Sequence, residues 1–116
     1  MALFNVEPGA DSVERVASRS AISAVNWCEA FGKLRGAGLD AARLAADMNE
    51  TGIAIVAFGA SDAQSAGELA PATRRHGLSL ADRACLALAA RLSVPAVTAD
   101  RAWLDLDVGV EIVCIR

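Results

Sequence analysis

Three carboxylates in this sequence stand where an apolar run gives way to a new helix or turn: Glu29 in "NWCEA", Asp82 in "LSLADRA" and Asp100 in "PAVTADRAW". Carboxylates brought together repel one another unless a proton or a cation intervenes. With no His or Cys cluster beside them, the suited cation is Mg²⁺ or Mn²⁺ rather than zinc. A centre of that kind activates water and stabilises in-line displacement at phosphorus. Each acid also has a purely structural reading. Asn26 with Glu29, and Ser79 with Asp82, have the spacing of an N-cap and its N3 carboxylate. Asp100 can cap the turn of "RAW". Capping is the commoner role for any one of them; the joint pattern is what points to a site.

The elements that must position these acids are legible in outline. "IAIVAF" (53–58), between Gly52 and Gly59, and "VEIVCI" (110–115), after Gly109, read as strands from their β-branched content and flanking breakers. "AISAV" (21–25) and "PAVTA" (95–99) are weaker strand candidates. Helical patterns cover 11–18, 26–35 up to Gly36, 40–50 up to Gly52, 61–70 up to Pro71, and 79–92, the longest and most apolar. Strands alternating with helices predict an α/β fold, three-layered, with a parallel sheet covered on both faces. Parallel sheets place ligand sites beyond the carboxyl ends of their strands, and all three acids fall there.

Bulk properties narrow the function. A chain of 116 residues with 54% hydrophobic content is one compact domain, spanning 1–116, and its 4% aromatic content requires a core of Ala, Leu, Val and Ile. A formal charge of -3 argues against holding nucleic acid on a broad basic face. It leaves room for an enzyme that cuts nucleic acid, because a carboxylate-lined site is itself acidic. Cys28, Cys85 and Cys114 share no metal-type spacing and read as small buried hydrophobes in a reducing cytosol. Neither a signal peptide nor a membrane span is recognisable, so a cytoplasmic protein is expected. His76 is the sole histidine, which excludes a His-based triad or zinc centre. It closes the basic cluster Arg74, Arg75, His76, read as a turn end before Gly77, with RNA backbone contact as the functional alternative. Trp27 and Trp103 read as packing residues ahead of base-stacking ones. Arg83 and Arg101 adjoin two of the acids and read equally as salt-bridge partners.

The combination "SAVNWCEA", "GLSLADRACLALAARL" and "PAVTADRAW" resembles the PIN-domain ribonucleases, specifically the VapC-type toxins of toxin–antitoxin pairs. The likeness runs from "NVEPGAD" to "VEIVCIR". It implies an α/β/α fold with an acidic pocket, RNA phosphodiester hydrolysis with Mg²⁺ or Mn²⁺, a cognate antitoxin and a homodimer. Carried over by motif, Glu29, Asp82 and Asp100 match three of the family's usual four acids. Thr98 matches the hydroxyl residue that often precedes the last acid, and Asn26 a polar residue one turn before the glutamate. The departure is at the start. In the family a first, central strand ends in an aspartate, and this sequence opens after it. That strand is expected to be encoded in frame upstream of Met1. The alternative is a non-catalytic PIN remnant that binds an antitoxin or a second protomer. A receiver-like signalling domain is excluded, since it requires an aspartate directly after a central strand and "IAIVAF" is followed by Gly59.

Overall fold

The structure is a computed structural model and describes residues 19–115; the helix expected at 11–18 lies outside the described residues. Strand β1 (Ala21–Ser23) leads directly into helix α1 (Ala24–Gly36), and α2 (Ala41–Thr51) leads to strand β2 (Ala54–Val56). Helix α3 (Ala60–Glu68) and the single turn α4 (Ala70–Thr73) run into a 3-10 turn at Arg74–His76. Helix α5 (Leu80–Leu92), strand β3 (Ala96–Thr98), a 3-10 segment (Arg101–Asp105) and strand β4 (Ile112–Cys114) complete the described chain.

Every strand pairing is parallel, as the alternation of elements predicts. Ile22 of β1 stands opposite Ile55 of β2, and Val97 of β3 opposite Val113 of β4. The pairs do not join: β1–β2 and β3–β4 form two separate two-stranded sheets. This separation holds among the described residues, 19–115.

Helix α5 sits at the centre of the packing. Ala81, Ala84, Leu86, Ala87, Leu88 and Ala89 are all buried. Positions 86–89 cover a full turn, so the helix is enclosed on several sides rather than along one stripe. It contacts α3, α1, β1 and β3. Its many alanines carry short side chains, which lets these neighbours approach closely. Leu86 and Ala89 form the core with Ala96 of β3 and Trp103, which is 1% exposed. The scarcity of aromatics makes Trp103 the one large anchor, and it fixes the 3-10 segment that follows Asp100.

Helix ends follow local chemistry. Asp40 caps α2 by accepting from the Arg43 N–H at 3.0 Å, and Gly52 ends that helix in the left-handed region at φ 77°. Ser93 does the same for α5 at φ 56°, the only described non-glycine residue with positive φ.

Candidate active site at the carboxyl ends of the strands

Ser23, the last residue of β1, is buried, and its Oγ accepts the Val25 N–H at 3.2 Å. It is therefore Ser23, not Asn26, that caps α1, and the helix starts at Ala24. Two expectations change with it. Asn26 moves to the third helical position, where it is completely buried and neither its Oδ1 nor its Nδ2 has a hydrogen-bond partner. Glu29 moves out of the first turn, which holds no acid. The side chain of Glu29 is 37% exposed and lies 3.9 Å from Lys33 Nζ one turn on, a weak surface pairing. Glu29 also lines an open groove of about 580 Å³ together with Cys28, Phe58, Ser79 and Leu80. This groove brings the glutamate of α1 to the beginning of α5.

Asp82 occupies the position its spacing predicts. Its Oδ2 accepts the Ser79 N–H at 2.9 Å, and Ser79 Oγ accepts the Asp82 N–H at 3.2 Å, closing a reciprocal capping box. The carboxylate is half-buried, and its charge acts on the next turn of α5. Burial, reinforced by the negative charge of Asp82, pushes the Cys85 thiol from 9.0 up to about 12.

Thr98 ends β3 and is fully buried. Its Oγ1 accepts the Asp100 N–H at 3.0 Å, so the threonine fixes the strand-to-turn junction. Asp100 is exposed and caps the 3-10 segment, with Oδ1 accepting the Ala102 N–H at 3.0 Å. The three acids thus come from the second turn of α1, the turn after β3 and the start of α5. All three have local partners. Among the described residues no three His, Cys, Asp or Glu side chains stand close enough to hold a metal ion. The described acids alone therefore do not compose a metal centre.

The remaining features resolve mostly into structure. Arg74, Arg75 and His76 form a 3-10 turn closed by Gly77 at φ 66°, whose N–H donates to the Arg74 carbonyl at 3.1 Å. Arg83 Nη1 donates to the Ala66 carbonyl at 3.1 Å, tying α5 to α3. Trp27 packs edge-on against Phe31 with ring centroids 5.5 Å apart. The expectation of three buried cysteines holds only in part, since Cys28 is exposed and Cys85 and Cys114 are half-buried. Cys28 lies early in α1 on the groove side, a direction that the wrong start residue for that helix concealed.

Asp62 was not singled out from the sequence. Its Oδ2 accepts the Gly59 N–H at 2.9 Å at the start of α3, and its Oδ1 lies 3.1 Å from Arg91 Nε, with the aspartate side chain 14% exposed. The glycine-x-x-aspartate spacing after β2 signals the cap; the partner on α5 is a tertiary contact with no local signature.

The PIN domain is the family whose description matches this chain, over residues 1–109. A match across nearly the whole length is decisive: the chain belongs to the PIN-domain family. PIN domains are typically nucleases dependent on divalent metal ions, and membership supports a ribonuclease-like function. No curated protein and no solved structure matches it significantly. No described helix is long and apolar enough to cross a membrane.

Proposed function

We propose that residues 1–116 are one PIN-like domain that acts as an endoribonuclease of the VapC toxin type, hydrolysing RNA phosphodiester bonds with Mg²⁺ or Mn²⁺ and restrained by a cognate antitoxin. The observation that carries this reading is the PIN match over residues 1–109. The positions of Glu29, Asp82, Asp100 and Thr98 support it. Asp100 and Thr98 lie at the carboxyl end of β3, the edge where parallel α/β folds bind ligands. Asp82 lies at the entry of α5, while Glu29 stands in the second turn of α1 and lines the groove that reaches the start of α5. Thr98 and Ser79 serve there as positioning residues, holding the backbone from which Asp100 and Asp82 project. The homodimer and the cytoplasmic location belong to the same proposal.

One observation favours the second reading, a non-catalytic PIN domain that binds an antitoxin or another protomer. Glu29, Asp82 and Asp100 each have a local partner, and no three-residue metal group forms among the described residues. Calorimetric melting with and without Mn²⁺ separates the two. An ion that binds only the folded chain raises its melting temperature through mass action. The nuclease reading expects a rise that Asp82→Asn abolishes; a chain that melts cooperatively at the same temperature with and without Mn²⁺ favours the binding reading.

A further inference from the structure

Arg74 and Arg75 form the only adjacent basic pair in the sequence, and both are exposed. Other cations are engaged: Lys33, Arg43 and Arg91 face acids, and Arg35 and Arg83 bond backbone carbonyls. Arg74 and Arg75 have neither kind of partner among the described residues. No acid occurs in the sequence between Glu68 and Asp82, so no near neighbour in the chain offsets the pair. In a chain of net charge -3 this is a local excess of positive charge. Helix α4 is a single turn, which builds little macrodipole for two cations to complement.

The segment that carries the pair is firmly held. Leu69 before it and Leu78 after it both pack against the core of Leu86 and Trp103. Thr73 is buried, and its Oγ1 donates to the Leu69 carbonyl at 2.8 Å. The Nδ1 of His76 is buried as well. Thr73 and His76 thus face inward and leave the two arginines outward on a fixed turn. Gly77, at φ 66°, then redirects the chain into the capping box of Ser79 and Asp82. From Arg75 to Ser79 the chain spans at most about 14 Å even when extended. The cations therefore stand beside the entry of α5, next to one of the candidate acids.

We propose that Arg74 and Arg75 are a phosphate-binding subsite that holds the backbone of single-stranded RNA beside the entry of α5. The proposal rests on the nuclease reading and adds to it how an acidic site retains a polyanion. Guanidinium groups suit the task because their planar fork matches phosphate oxygens. Contacts to phosphate position a strand without reading its bases.

The test measures the anisotropy of a fluorescein-labelled single-stranded RNA with the full chain, without divalent ions so that the strand stays intact. Each phosphate contact on a single strand contributes about 0.7 to the slope of log affinity against log salt. Arg74→Gln with Arg75→Gln should therefore flatten that slope by about 1.4. Binding at low salt should weaken about tenfold, equally for strands of unrelated sequence. Arg74→Lys with Arg75→Lys keeps both charges and should restore most of the slope. Arg43→Gln, which removes a cation paired with Asp47 on α2, should leave the slope unchanged. The proposal is overturned by an unchanged slope in the double glutamine variant or by no RNA binding to the unaltered chain. Tighter binding of an acidic peptide of equal charge overturns it too, in favour of a protein partner. Cleavage with Mn²⁺ separates this outcome from that of the nuclease reading. A chain that cleaves while the double variant keeps its slope loses only the subsite; one that binds through the two arginines without cleaving loses only the nuclease.

Discussion

Asn26 and Cys85 show how single side chains report on burial. An amide buried without partners is replaced favourably by an apolar group of similar size, because no hydrogen bond is lost and a desolvation cost disappears. Asn26→Leu is therefore expected to stabilise the isolated chain by about 1–3 kcal/mol, read from the urea midpoint at unchanged m-value. Cys85 responds to pH. Its folded thiol holds its proton more tightly than the unfolded one, with the value raised from 9.0 to about 12. Its stabilising contribution is complete below pH 9 and is lost as pH rises toward 12. Urea unfolding across that range should show stability falling with pH, and Cys85→Ala should flatten the fall. Alkylation at neutral pH should label exposed Cys28 well before Cys85. The residue types at the site were legible from spacing alone, and the caps at Asp82 and Asp100 formed as their motifs dictate. Asn26 was misjudged as a cap because Ser23 competes for the same role three residues earlier, and burial at the end of β1 decides for serine.

At the scale of elements, α5 is the piece on which site and core both depend. Its capping box orients Asp82, and its alanine-rich surface contacts helices and strands on several sides. Ser79→Ala removes a side-chain acceptor from the first turn and is expected to cost about 1 kcal/mol, measurable as a lowered urea midpoint. At the other end, Ser93 adopts a left-handed conformation that glycine adopts without steric penalty. Ser93→Gly should stabilise the chain by about 0.5–1 kcal/mol, read as a raised melting temperature; a lowered one would contradict the prediction. Element order and type were legible through most of residues 19–115, because glycine stops and β-branched runs are local signals. The exception is 70–76, where Pro71 was expected to end a helix and instead lies in the first turn of α4 (Ala70–Thr73), which runs into the 3-10 turn Arg74–His76. Strand lengths were overestimated: "AISAV" yields β1 over Ala21–Ser23 only, since helix α1 claims Ala24 and Val25. The Asp62–Arg91 pair between α3 and α5 had no local signal at all.

At the scale of the molecule, the described residues form a parallel α/β architecture whose two strand pairs both pack on α5. The sequence motifs foretold the family, but they carried no information on which of the described strands pair. That outcome depends on packing between segments distant in the chain. The most direct test of the nuclease account is cleavage of a fluorogenic single-stranded RNA by the full chain in Mn²⁺, compared with Glu29→Gln, Asp82→Asn and Asp100→Asn. The account predicts metal-dependent cleavage that each substitution lowers by at least tenfold while the fold melts cooperatively. Cleavage that survives all three substitutions, or no cleavage by the unaltered chain with Mn²⁺ present, would contradict it.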